Sequence, residues 1–177
     1  EKYINVDSFV DYFIINEFTQ NYDAGNLSTF LYKDIKDKIN MVVWDFNNSC
    51  DNYKRTTMDS LDFEFQNNVW FYMLMKDERF TEKVINRYYS LRKTFLNEEY
   101  LLNYIDETID YLGDAVDRNF DVWGYTFFLS EDLLYPSERN PTSYEEAVNQ
   151  LKNFIIERGR WMDQYIITLR QFSHEKG

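Results

Sequence analysis

The stretch "NYDAGNLSTFLYKDIKDKINMVVWDFNN", residues 21–48, decides how this chain folds. It opens in a polar cluster where Gly25 and Asn26 favour turn conformations. "STFLYKD" then carries Thr29, Phe30, Leu31 and Tyr32, a β-branched residue followed by large apolar ones. "KINMVVWDF" is likewise rich in β-branched and aromatic residues. Between them, "DIKDK" is charged and turn-like. The pattern predicts a β-hairpin that returns the chain to where it started. Asp23, just before the first strand, and Asp45, at the end of the second, are then expected side by side.

Outward from the hairpin, the periodicity is helical. Upstream, Ser8 with Asp11 makes a capping-box-like start, with Asp7 a competing cap. Val10, Phe13, Ile14 and Phe18 follow helical spacing, and Phe9, Tyr12 and Ile15 widen the apolar face, which predicts a helix buried on most sides. Downstream, a helical pattern begins after Asn68 with Val69, Trp70, Tyr72 and Met73, and continues through Phe80, Val84, Tyr88, Leu91 and Phe95. A third block holds Leu101, Tyr104, Ile105, Ile109, Leu112 and Val116. "GYTFFLSEDLLYPSERNPTS" contains both prolines and reads as a long irregular connection. Ser143 and Glu146 form a capping box for a last helix carrying Tyr144, Val148, Leu151, Ile155, Met162, Tyr165, Ile166 and Leu169. These helices are expected to form the core. The expected fold is mainly α with a small β-hairpin, one domain over residues 1–177.

Composition narrows the function. Apolar residues at 44% and aromatics at 19% supply a packed interior and argue against disorder. Nineteen basic against thirty-one acidic residues give a net charge of −12, which repels phosphate backbones and anionic membranes, so nucleic acid is not an expected partner. The plain meaning of that charge is solubility. Cys50 is the only cysteine, which excludes an intrachain disulfide and a thiolate zinc cluster. No apolar run approaches the roughly 20 residues that span a bilayer. The chain begins "EKYINVDSF", without an initiator methionine, and is expected to be a piece of a longer protein.

An aspartate in a turn usually bonds nearby backbone N–H groups, and that role suffices for Asp23 taken alone. Asp45 follows the apolar "MVVW" and is expected to emerge from the interior, where a carboxylate needs a partner. The local candidates are amides and hydroxyls, a set that a hard divalent metal would satisfy. The order adds to this: Asp23, Ser28 five positions on, a hairpin, then Asp45 and Asn47. Phosphotransferases of the protein-kinase type use such an order, because nucleophile, metal and γ-phosphate must meet within a few ångströms.

"SFVDYFIINEFTQNYDAGNLSTFLYKD", followed by "MVVWDFN", resembles the CotH family of spore-coat-protein-H-like atypical kinases. "KDERFTEKVINRYYSLRKTFL" and "YEEAVNQLKNFIIERGRWMDQYI" are similar to that family's C-terminal helices, so the resemblance covers nearly the whole chain. It implies a kinase-like C-terminal lobe that phosphorylates protein substrates with ATP and Mg²⁺ or Mn²⁺. By position, Asp23 resembles the catalytic-loop aspartate and Asp45 the metal-binding aspartate. Ser28 stands where kinase-like loops often place asparagine and is the second metal candidate. Asn47 is a secondary metal or phosphate candidate. Val43-Trp44 replaces the proline-tryptophan of many relatives. The five glycines form no phosphate loop and no upstream lysine strand is present. The nucleotide-gripping N-terminal lobe is therefore expected outside this chain, and the chain is expected to be inactive alone. The resemblance also suggests an exported, cell-surface or spore-coat protein of a bacterium.

Two rivals remain on the residues alone. One is a kinase-shaped structural or binding protein without catalysis, favoured by Ser28. The other is a carboxylate-metal hydrolase that replaces the phosphate donor with water. His174 has no second histidine for a zinc site, and Cys50 has no histidine to activate it. Trp161 with Arg160 offers a cation–π option, although a tryptophan on an amphipathic helix is more often core. Two glycosylation sequons, at Asn26 and Asn47, read as coincidence, since a glycan there would block the site. Residues 51–68 are polar and occupy the activation-segment position of a kinase-like lobe.

Overall fold

The computed structural model describes residues 2–53, 61–123, 127 and 134–174. The order is helix α1 (Val6–Thr19), strands β1 (Phe30–Tyr32) and β2 (Asn40–Val42), then helices α2 (Val69–Leu74) and α3 (Glu78–Arg92). Helices α4 (Glu98–Leu112), α5 (Ala115–Trp123), α6 (Tyr144–Tyr165) and α7 (Arg170–His174) follow, with short 3-10 turns at Phe65–Asn67, Ser137–Arg139 and Ile166–Leu169. The chain is mainly α with one small antiparallel hairpin, in which Phe30 faces Val42 and Tyr32 faces Asn40.

Helix α1 is the central pillar. Phe9, Val10, Tyr12, Phe13, Ile14 and Phe18 are all buried, and the helix packs against β2, α3 and α6. Apolar residues placed around most of its circumference leave it stable only when covered on most sides. Phe13, Phe65 and Phe71 form an aromatic knot at its centre, with ring centroids 4.8–5.8 Å apart, favourable tilted geometry beyond plain burial. The helix starts at Asn5, earlier than the expected Ser8 cap. The Ser8 hydroxyl instead donates to the Asn5 carbonyl at 2.9 Å and accepts from the Met41 N–H at 3.3 Å, so it ties the helix to β2. Asp11 bonds Arg87 of α3 rather than a capped N–H. Upstream, Tyr3 and Asn5 exchange backbone hydrogen bonds with Ile39 and extend the hairpin edge.

The periodic stretch after Asn68 divides into α2 and α3, separated where Asp77 caps the second helix through the Arg79 N–H at 2.9 Å. Phe95 lies beyond the end of α3 and is exposed. The expectation that every later helix builds the core fails at α4 and α5, neither of which has a fully buried residue. Only Leu101 and Ile105 lean on the core, because α4 contacts α6 along one edge. The expected cap of α6 holds: the Glu146 N–H donates to Ser143 Oγ at 3.1 Å. The reciprocal carboxylate reaches Thr142 rather than Ser143, through its N–H at 2.7 Å and its hydroxyl at 2.8 Å. Of the irregular connection, residues 124–126 and 128–133 lie outside the described residues.

Helix α6 crosses α3 at Gly159, where a Cβ would stand 3.0 Å from Arg92 Nη1. Arg92 uses that space to make a bidentate pair with Asp163, both bonds 2.8 Å, and Tyr88 donates to the same carboxylate at 2.9 Å. The deepest polar contact joins α1 to α6. Glu17 and Arg158 are both 0 % exposed, with Nη2 2.5 Å from Oε1. Glu17 also accepts the backbone N–H groups of Glu64 at 3.0 Å and Phe65 at 2.7 Å. Arg158 also donates to the carbonyls of Glu17 and Asp62. Full burial pushes the Glu17 carboxyl up from the usual carboxylate range, opposed by the Arg158 guanidinium and the two N–H donors. Trp161 packs against the core, and the cation–π option falls to another arginine: Arg158, not Arg160, lies 4.9 Å from its ring, while Arg160 pairs with Glu98. An arginine at 160 points to the exposed side of α6, one at 158 to the core.

Candidate functional site

The turn after α1 is built by its own backbone. Gln20 takes a left-handed conformation at φ 46° and stops the helix. The Asp23 carbonyl then accepts from the N–H groups of Asn26, Leu27 and Ser28, which curls residues 23–28 into a tight loop. Gly25, at φ 76°, makes that loop possible, because a Cβ there would stand 2.6 Å from Asn68 Nδ2 and 2.9 Å from Phe65. Asn68 Nδ2 occupies the space and donates to the Ala24 carbonyl at 2.6 Å. Gly25→Ala is expected to cost about 2–4 kcal/mol from left-handed strain and overpacking together, read as a fall in the denaturation midpoint.

The corner after β2 is the second half. Asp45 has φ 57°, a left-handed turn that throws residues 46–50 back towards α1. The chain is pinned there by the Cys50 N–H donating to the Thr19 carbonyl at 2.6 Å. Contrary to the expectation of an aspartate emerging from the interior, the Asp45 side chain is exposed. Val43 and Trp44 before it are exposed too, at 51 % and 59 %. A run of apolar residues predicts a covered strand, but only one face of this two-stranded hairpin meets α1.

Two side-chain amides join the halves. Asn21, 3 % exposed, donates through Nδ2 to Asn16 Oδ1 at 3.1 Å and to the Asp45 carbonyl at 3.3 Å. Asn48 donates through Nδ2 to Asp23 Oδ2 at 2.6 Å. The hairpin thus brings the Asp23 turn and the Asp45 corner together, as its pattern predicts. Ser28 belongs to the same turn as Asp23. Asn47 is exposed, makes no hydrogen bond to the other three among the described residues, and lines the rim of an adjacent cleft. Asn21 and Asn48 are the residues that sequence pattern does not single out. Their only local signal is position, two before Asp23 and three after Asp45.

The cleft holds about 680 Å³ and lies between residues 46–52 and α6, with Phe46, Leu134, Leu151 and Phe154 as apolar lining and Glu157 at its edge. Its wall is braced by Arg139, which donates to both carboxylate oxygens of Asp51, at 2.8 and 3.2 Å, and to the Tyr53 carbonyl at 3.0 Å. Tyr53 stacks on Tyr22 at 3.8 Å. The segment that leaves the corner is therefore held at its start by Arg139, and at its end by Glu17 and Arg158. Residues 54–60 of that segment lie outside the described residues. Burial pushes the Cys50 thiol up to about 11, which keeps it protonated at neutral pH and unsuited to nucleophilic attack.

The donor set suits a hard cation. Asp23, Asp45, Ser28 and Asn47 offer only oxygen ligands, and the buried Asn21 Oδ1 has no hydrogen-bond partner. Among the described residues, no group of three or more His, Cys, Asp and Glu side chains is placed to hold a metal ion. Also among the described residues, no helix is long and apolar enough to cross a membrane. No curated protein and no solved structure matches the chain. A family model described as CotH kinase protein matches residues 1–162. With that match spanning most of its length, the chain belongs to the CotH kinase family.

Proposed function

We propose that this chain supplies the catalytic lobe of an ATP-dependent protein kinase, with the ATP-gripping lobe outside its 177 residues. The observation that supports the reading is the pair of amide bonds, Asn48 Nδ2 to the Asp23 carboxylate and Asn21 Nδ2 to the Asp45 main-chain carbonyl, that tie the Asp23 turn to the Asp45 corner. Phosphoryl transfer needs little covalent chemistry from the protein and depends on positioning and charge. Asp23 takes the proton of a protein hydroxyl. The hydroxyl oxygen bonds to the γ-phosphorus of ATP as the bond to the bridging oxygen breaks, and ADP leaves with that electron pair. Asp45 and Ser28 are the residues that would hold Mg²⁺ or Mn²⁺, and Asn47 stands at the rim as a phosphate or second metal contact. The bound cation would offset negative charge on the phosphate oxygens.

The test is ATP-dependent phosphate incorporation by the longest natural chain containing this segment, with Mg²⁺ or Mn²⁺. Labelling is expected in the parent and at least about 100-fold less in Asp45→Ala, the loss expected when a group that stabilises developing charge is removed. Equal labelling by both proteins would remove Asp45 from the site. A folded parent that binds nucleotide without transferring phosphate would favour the non-catalytic reading, and free phosphate without labelled protein would favour the hydrolase.

A further inference from the structure

We infer that Asn48 is a positioning residue that fixes the proton-accepting oxygen of Asp23, an inference that rests on the kinase reading above. A carboxylate offers only acceptors, so the 2.6 Å contact sets the Asn48 amide with Nδ2 towards Asp23. That bond occupies Oδ2. Oδ1 makes no side-chain hydrogen bond among the described residues and is the oxygen that meets the substrate hydroxyl.

The support for Asn48 comes from its own loop. It stands three residues beyond the left-handed Asp45 and next to Ser49, whose hydroxyl donates to the Phe46 carbonyl at 2.6 Å. The Ser49 N–H bonds the same carbonyl at 3.1 Å, and the Cys50 N–H is anchored on α1. The amide is therefore presented from a braced corner, and Asp23 is only partly buried. A short bond to a charged acceptor from a braced donor suits the fine orientation of a catalytic group. Because donor and acceptor lie on opposite sides of the hairpin, the contact also couples the orientation of Asp23 to the corner that carries Asp45.

The experiment uses the longest natural chain, with kinetics and asparagine side-chain NMR measured on the same samples. Asn48→Ala is expected to lower kcat by about 10- to 100-fold with KM for ATP within twofold, the scale of loss from misplacing a reacting group. Asn48→Gln, which keeps a donor on a longer arm, is expected to recover part of that loss. In the parent, the Asn48 side-chain amide protons are expected downfield and slow to exchange, and Asp23→Ala is expected to abolish both features. An active parent in which Asn48→Ala leaves kcat unchanged would overturn the positioning role alone. Absence of the amide signature in a folded parent would overturn the contact itself. An inactive parent would overturn the kinase reading, and the role of Asn48 with it.

Discussion

Arg158→Ala is expected to lower the stability of the fold by about 3–5 kcal/mol, the range for removing one partner of a buried ion pair. The residue lies at 0 % exposure and its loss leaves the Glu17 carboxylate, also at 0 %, without its cation. The carbonyls of Glu17 and Asp62 lose their donors as well. Glu17 would still hold the N–H groups of Glu64 and Phe65, but as a buried carboxylate without a counter-charge. The double variant Glu17→Gln with Arg158→Met, which removes both charges and keeps the volume, is expected to lose much less. Denaturant unfolding followed by tryptophan emission measures this, and Trp161, beside the guanidinium, reports the locality. A loss below about 1 kcal/mol for Arg158→Ala would show that the pair does not hold α1, α6 and residues 62–65 together.

Asp23→Asn is expected to reduce kcat of the longest natural chain by about 10²- to 10⁴-fold, the usual contribution of a positioned proton acceptor. The substitution is nearly isosteric, and the new side-chain carbonyl still accepts from Asn48 Nδ2, so the turn keeps its shape. KM for ATP is expected to stay close to that of the parent, because the lost interaction belongs to the transition state. This separates Asp23→Asn from Asn48→Ala, which keeps the acceptor but loosens it and costs less. Initial-rate kinetics on parent and variant decide it. A variant as fast as the parent would transfer the proton to another group and leave Asp23 as a turn residue.

Much of this site is legible along the chain because its parts are local. A β-branched and aromatic run on each side of "DIKDK" makes a hairpin, and a hairpin of any length returns its ends to each other. Asp23 and Asp45 flank it, so their approach follows from topology. The Ser143 cap is legible for the same reason, since the hydroxyl and the N–H it satisfies are three residues apart. The misplaced start of α1 is also instructive. Ser8 has the right chemistry for a cap, but its hydroxyl finds the Met41 N–H across the hairpin, and the helix begins at Asn5.

What the residue order determined by itself is the set of elements: a nearly all-round apolar first helix, a short hairpin bearing two aspartates, and a capped last helix. These rest on periods of two and 3.6 residues and on bonds within one turn of chain. Tertiary structure alone decided which polar groups meet across long separations. Glu17 and Arg158 are 141 positions apart, Asp23 and Asn48 are 25, and Arg139 reaches back 88 to Asp51. It also decided which apolar faces are covered, leaving α4 and the outer face of the hairpin in the open. The reason is physical: local pattern sets which conformation each segment prefers, whereas desolvation of a charge depends on what every other segment brings to it.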